Sequence, residues 1–563
     1  MRKQVRNKKF KKHVAGLSAS ESEKDKNMPT LHWVGKNKVV NHHHDVPFRL
    51  LDKKYSFKAN EGTPENSTKN RIIHGDNLEA LKSLLPEFEG KVNCIYIDPP
   101  YNTGNEGWVY NDNVNDPKIK KWLGQVVGKE GEDLSRHDKW LCMMYPRLKM
   151  LHRLLAEGGV IFVSLDDVEA ANARLLMDEL FGYGNFVASI AWEKRYTRSN
   201  NAKMFYSLKD TILVYRKTAH LSVLKEGRSE KADANYGNPD GDPRGDWMSA
   251  SYVNPATKDK RQNLVYPVIN PAGVSIEHPT HAWKYSKEEY ERHVAEKRLW
   301  WGQDGTASYP RLKLYLSEAS GMVPVDIWAY EETGTTDEGG QEIKDIFGSL
   351  VFDTPKPTRL IERALKIATD KSSIILDSFA GSGTTAHAVL KMNAQDGGNR
   401  RFILCETMDY AENITAERVR RVINGYGEGS KAVTGLGGGF DFYTVGTPLF
   451  KEDKNLNEEV GAEAIRGYVA YTENIPTERR WDTENSVSPY ALGSTDSALC
   501  VFYYEKDRVT TLDIDFLGQL KIKTLPSRPE QFVIYADKCA LDKDFLYKHG
   551  ITFKRIPRDI TRF

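Results

Sequence analysis

Ile95-Tyr96-Ile97-Asp98-Pro99-Pro100-Tyr101-Asn102-Thr103-Gly104 is the stretch from which the fold is read. The apolar run from Lys91 to Ile97 suits a buried strand. It stops at an acid, two prolines and an aromatic, which cannot continue a central strand. Each proline restricts the residue before it, so the backbone around Asp98 and Tyr101 is expected to be held. A carboxylate, exposed carbonyls and a ring at the carboxyl end of a strand suit a flat, polar-edged substrate such as a nucleobase. The same residues could also end a strand in a plain Pro-rich turn, and the residues that decide between the two lie far downstream.

Working outward, the pattern around this stretch is βαβ. Arg71 to His74 reads as a short strand and Gly75-Asp76-Asn77 as a tight turn, with Leu78, Leu81, Leu84 and Leu85 marking one helix face. Asp138 to Leu155 is helix-periodic, with Gly158-Gly159 as its stop. Val160 to Leu165 is the next strand, succeeded by Asp166-Asp167 and a helix to Phe181. The expected class is α/β, a doubly wound, mostly parallel sheet. After Ile190 comes a cationic, aromatic loop from Trp192 to Asn201; Thr211 to Tyr215 returns to a strand, and from about 218 to 345 the chain is irregular. The rhythm then resumes: a helix from Arg359 to Ala368, a strand from Ser373 to Leu376, and Asp377-Ser-Phe-Ala-Gly-Ser-Gly-Thr-Thr385 opening a helix. Phe402 to Cys405 is a further strand ending in Glu406. This predicts a basic, disordered arm (1–28), a catalytic half of the core (29–185), an inserted recognition domain (186–345), a cofactor half (346–443) and a small C-terminal α/β domain (444–563) for self-association or partner binding.

Composition sets outer limits. A chain of 563 residues exceeds one hydrophobic core. No apolar stretch is long enough to span a membrane, so none is expected as a partner. The segment Met1 to His13 holds seven Lys or Arg residues, but no apolar run comes after it to make it a secretory signal. The formal net charge of +2 does not by itself demand a nucleic-acid partner, so any basic surface must be local. The five cysteines never approach Cys-x-x-Cys spacing, which suits a reducing cytoplasm and argues against zinc. His42-His43-His44-Asp45 is read as surface or DNA-facing histidines rather than as metal ligands, because adjacent histidines cannot easily all face one ion.

The Asp377 to Thr385 loop comes after a strand and opens a helix, and Gly381 and Gly383 let backbone amides approach a ligand. It has no lysine, so it is not a triphosphate cradle. Ala386 stands where a dinucleotide loop carries its third glycine, which weakens NAD or FAD and leaves both open. Glu406 ends the next strand, where an acid can accept both hydroxyls of a ribose. S-adenosylmethionine fits the set: adenosine, ribose and an amino-acid tail, without phosphate. Asp377 or nearby loop groups would hold the ammonium, and Phe379 would pack on the ligand.

Asp98-Pro-Pro-Tyr101 together with Phe379-x-Gly381-x-Gly383-Thr384-Thr385 resembles the amino-methyltransferases of DNA, in the motif order of their β class. The extended Asp98 to Asn105 motif, the Val39 to Phe48 segment and Ile534 to Cys539 are most similar to the modification (Mod) subunits of type III restriction-modification systems. The resemblance implies a catalytic tetrapeptide Asp98, Pro99, Pro100, Tyr101. It also implies a cofactor loop of Asp377, Phe379, Gly381, Gly383 and Thr384, with Glu406 on the ribose and Asp76 at the adenine end. Lys356, in Thr354-Pro-Lys-Pro357, would close over the methionine tail.

The reaction implied is methyl transfer from S-adenosylmethionine to N6 of a flipped-out adenine in double-stranded DNA, with cytosine N4 as the alternative acceptor. Recognition is expected from residues 186 to 345. Lys194, Arg195, Arg198, Asn200 and Asn201 are the candidate DNA contacts, reading bases or gripping phosphates. Generic surface charge would leave the same pattern. A homodimer and a helicase-nuclease partner are implied by the resemblance, as is a bacterial, nucleoid-associated location. A stand-alone methyltransferase, an enzyme acting on RNA or protein, and a non-catalytic DNA-binding subunit are the competing classes.

Overall fold

The computed structural model describes residues 30–59, 69–103, 136–198, 203–228, 230–525, 529–558 and 560–561. The expected arm (1–28), the end of the extended motif (Gly104 and Asn105) and Asn200 and Asn201 lie outside them.

Ten strands form the central sheet: β1 (Arg49–Lys58), β2 (Arg71–His74), β3 (Val92–Ile97), β4 (Leu155–Leu165), β5 (Phe186–Glu193), β6 (Lys209–Arg216), β7 (Ile327–Trp328), β8 (Ile374–Asp377), β9 (Arg401–Glu406) and β10 (Gly439–Pro448). Their spatial order is β1-β10-β2-β9-β8-β3-β4-β6-β5-β7. The run from β10 to β4 is parallel throughout, while β1 and β6 pair antiparallel with their neighbours. The expected α/β class is observed. Cys94, Ile95, Tyr96 and Ile97 of β3 are all buried, as strands covered on both faces must be.

Helices α1 (Asn77–Phe88), α2 (Arg136–Leu154) and α3 (Ala170–Phe181) bury their apolar faces in one cluster with β3 and β4. Asp76 caps α1, its Oδ1 accepting from Glu79 N at 3.0 Å. Burying a side chain such as Leu81 or Leu151 contributes about 1.5–3 kcal/mol, so this seam dominates the packing behind the Asp98 loop. Four more helices stand around the second half of the sheet: α4 (Thr336–Phe347), α5 (Thr358–Ala368), α6 (Thr384–Asp396) and α7 (Glu417–Asn424).

Several boundaries differ from expectation. Residues 224–324 form a compact unit of their own, narrower than the expected 186–345. The strands at 186–193, 209–216 and 327–328 are sheet strands of the first unit, because β6 completes the hydrogen bonding of β4 and β5 pairs in turn with β6. Gly158-Gly159 lie within β4 rather than at a helix end, and the β3–β4 register shifts between Val92 and Cys94. The line at 443/444 falls inside β10, which pairs with β1 along its length. Beyond it stands a four-stranded sheet of residues 491–494, 498–502, 531–536 and 551–555, three of its strands parallel.

Among the described residues no helix is long and apolar enough to cross a membrane, and no group of three or more His, Cys, Asp or Glu is placed to hold a metal ion. His42–Asp45 forms one short helix, and His43 is buried in it rather than at the surface as expected.

Candidate functional site

β3 and β8 are neighbours, yet the chain leaves β3 for β4 on one side and β8 for β9 on the other. Such a reversal opens a crevice at the carboxyl ends of the strands, where α/β folds bind ligands. Ile95 pairs with Leu376, so Asp98 and Asp377 emerge side by side. The cleft there is lined by Asp98, Pro99, Tyr101, Lys194, Arg195, Lys356, Asp377, Phe379, Gly381 and Thr384. Residues far apart in the chain are thereby brought to one place. Pro100, Gly383, Glu406 and Asp76 are not among the lining residues.

The Asp98 loop is fixed from behind. Trp140 Nε1 donates to the Pro100 carbonyl at 2.7 Å. Tyr101 Oη pairs with Ser164 Oγ at 3.1 Å and donates to Asp210 Oδ2 at 3.3 Å. Asn102 adopts φ +60°, and its amide donates to the fully buried Glu169, which also takes His137 Nδ1 at 2.8 Å. These contacts set the Tyr101 ring and the main chain of the loop before any ligand arrives.

The second loop is built around two buried acids. Asp377 accepts from Phe379 N at 3.0 Å and Thr385 Oγ1 at 2.5 Å. Glu406 accepts from Gly381 N at 2.8 Å and Met408 N at 2.9 Å, so it braces the loop from beneath. Burial pushes both carboxyls up to about 7. A positive φ of 82° at Gly383 lets α6 start there. Arg418, fully buried, donates to Ser382 Oγ at 2.9 Å and Thr384 Oγ1 at 2.8 Å and is neutralised by Glu342 at 3.0 Å. Glu406 pairs with His74, two residues before Asp76, whose carboxylate faces Glu79 N at 3.0 Å and Arg147 Nη2 at 3.8 Å.

Two acids held near neutrality by burial favour a cationic ligand, and the residues fit one with an ammonium or sulfonium charge. Ser378 Oγ and Asn77 Oδ1, buried beside the loop, have no hydrogen-bond partner among the described residues. Asn77 Oδ1 is an acceptor and suits a hydroxyl or a cationic group; neither residue is among those lining the cleft.

Of the candidate DNA contacts, Lys194 turns inward and donates to Asp210 Oδ1 at 2.6 Å. Arg195 is half-buried against Tyr206 Oη at 2.8 Å. Arg198 is exposed. Lys356, expected over the cofactor, instead donates to Asp98 Oδ2. The sequence reading missed Ser164, Asp210, Trp140, Glu169 and Arg418. Each acts across the fold on a residue of another element, which no local pattern signals.

The family model described as DNA methylase matches residues 92–417, more than half of the chain. The type III restriction-modification enzyme StyLTI Mod subunit of Salmonella typhimurium is 36% identical over 412 residues, covering 67% of this chain and 60% of that one. The EcoPI Mod subunit of Escherichia phage P1 is 33% identical over 443 residues, covering 71% and 66%. The type II methyltransferase M.KpnI of Klebsiella pneumoniae is 32% identical over 377 residues, covering 63% and 85%. The chain thus spans roughly three fifths to two thirds of the two Mod subunits.

Proposed function

This chain belongs to the DNA methylase family, and we propose that it transfers the methyl group of S-adenosylmethionine to N6 of adenine in duplex DNA. The single observation that carries the reading is the cleft in which Asp98, Pro99 and Tyr101 meet Asp377, Phe379 and Gly381. Asp377, Phe379, Gly381, Gly383 and Thr384 would hold the donor, with Glu406 and Asp76 toward its nucleoside end. When bound, the donor supplies an electrophilic methyl group on a sulfonium.

The chain's own part is to prepare the acceptor. An exocyclic amine is a poor nucleophile because its lone pair is delocalised into the ring. Asp98 accepts one amino hydrogen and the Pro99 carbonyl the other, which draws the nitrogen toward tetrahedral geometry and frees the lone pair. Acceptors fixed in advance stabilise the charge that develops. The carboxylate of Asp98 is then the first station for the proton that leaves. The adenine must be flipped out to reach such a pocket, and Tyr101 would stack on it, a contact worth about 1–3 kcal/mol.

An aspartate in the first position of the tetrapeptide favours adenine; cytosine N4 is the second reading, and modified-base sequencing separates the two. Arg195, Arg198, Asn200 and Asn201 would contact DNA, with Lys194 set at the wall of the base pocket. The likeness to Mod subunits over roughly three fifths to two thirds of their length supports a modification subunit of a restriction-modification enzyme; pairing with a second copy and with a restriction subunit is part of the proposal.

The test is Asp98→Ala in cells, read out by modified-base sequencing. The wild-type gene should mark adenines in one sequence context, whereas D98A should mark none while the purified variant still binds the donor. Equal marking by both would refute the assignment.

A further inference from the structure

The ion pair between Lys356 and Asp98 has no part in the proposed methyl transfer, and it stands in that reaction's way. Lys356 lies in Thr354-Pro355-Lys356-Pro357, whose main chain is pinned. The Lys356 carbonyl accepts from Thr384 Oγ1 at 3.3 Å, and α4 approaches so closely that a Cβ on Gly339 would lie 2.3 Å from the Pro355 carbonyl oxygen. The Lys356 side chain is buried. Its Nζ donates to Asp98 Oδ2 and sits 4.9 Å from the centroid of the Tyr101 ring and 5.9 Å from that of Trp192.

A nitrogen that donates to Asp98 while lying over the face of Tyr101 occupies the position a target amine must take. Resting on the proposed reaction, we infer that the Lys356 ammonium is a placeholder for the exocyclic amino group of the base: it closes the amine subsite until a flipped base displaces it. Charge-assisted hydrogen bonds are about twice as strong as neutral ones, so a neutral amine does not displace the ammonium on that contact alone. The base must add ring stacking and its remaining hydrogen bonds. The subsite therefore admits a flat ring bearing an amine and resists a lone amine or a partly flipped base. Because the backbone is pinned, opening is rotation of a four-carbon side chain and needs no movement of a loop.

The experiment uses the full-length protein and a duplex in which the target adenine that modified-base sequencing identifies keeps its 6-amino group and its stacked neighbour is 2-aminopurine. The fluorescence of that neighbour rises when the adenine leaves the stack. Lys356→Met and Lys356→Gln remove the placeholder's charge and should raise the flipped fraction at equilibrium by about tenfold, the size expected for losing one charge-assisted contact. Both should lower the KM for DNA. Lys356→Arg keeps a cation and should stay near the wild-type signal; thermal unfolding checks that each variant is folded. If the neutral variants flip the base no more than wild type, or flip it less with Arg restoring the signal, Lys356 is not a placeholder. Wild-type protein that methylates no DNA would sink the underlying reading and this inference together, whereas active wild type with unchanged flipping in the variants sinks the inference alone.

Discussion

Asp377 and Glu406 are buried carboxyl groups with folded-state values of about 7, against ordinary values of 3.8 and 4.5. Burial disfavours their charged forms, and their backbone and hydroxyl donors only partly offset it. Because the folded values lie above the unfolded ones, the two acids favour the folded state most at low pH. That contribution declines as pH rises from about 4 to about 7 and is constant above it. Binding of a cationic donor runs the other way, since it needs the ionised acids. Donor affinity, measured by calorimetry, should therefore increase roughly tenfold or more between about pH 6 and pH 8 and level off above that. A pH-independent affinity would mean that neither acid faces the donor's charge. At this scale the Asp98 tetrapeptide and the Asp377 loop were legible, because prolines and glycines carry backbone constraints in their own identity. Ser164 and Asp210, which hold Tyr101, were not: a serine at a strand end and an aspartate opening another strand reveal nothing of a ring on a different loop.

Among elements, α4 lies outside every motif read from the sequence, yet it sets the position of the Lys356 segment. Gly339 packs its bare Cα against that segment, with no room for a methyl group. Glu342, one turn on, accepts from Thr358 N and Arg418 Nη2, both at 3.0 Å. Two effects compete in Gly339→Ala. Helix propensity favours Ala by about 1 kcal/mol, while overpacking against immobile backbone costs about 1–3 kcal/mol. A Cβ 2.3 Å from a carbonyl oxygen decides for the clash. G339A should lower the melting temperature and reduce methyl transfer at temperatures where the protein is still fully folded, because Pro355 and Lys356 are pushed toward the cleft. An unchanged or higher melting temperature would show that the segment yields freely. The parallel strands were legible as continuous apolar runs between turn signals. Thr211 to Tyr215 was legible as a strand, and β6 contains it; that the sheet extends through β6, β5 and β7 was not, since β7 has two residues and returns only after the insertion.

For the whole molecule, the decisive feature is the way residues 224–324 are inserted. Glu226 and Met322 form an antiparallel bridge, each N donating to the other's carbonyl at 2.9 and 3.0 Å. Gly321 lies so close to Glu226 that a Cβ would come within 2.5 Å of its carbonyl oxygen. The incoming and outgoing chains are thus clamped together at the foot of the unit. Its core of Tyr252, Tyr266, Val268, Trp283, Tyr290, Trp301 and Leu312 is its own, and Lys313 is neutralised internally by Asp240 and by Asp242 at 2.9 Å. A unit with its two chain ends bridged and a core of its own is the natural segment to exchange. The sequence reading drew it too wide because composition changes at Trp192, whereas hydrogen bonding keeps the chain in the sheet until β6 ends. If this unit reads the DNA, replacing residues 224–324 with the matching segment of the StyLTI Mod subunit should change which sequence is methylated. The modified atom should stay the same, because Asp98, Tyr101 and the donor loop are untouched. Modified-base sequencing of cells carrying the chimera reports both at once. A chimera that stays active on the parental sequence would move recognition to the loop between β5 and β6, where Arg195 and Arg198 lie.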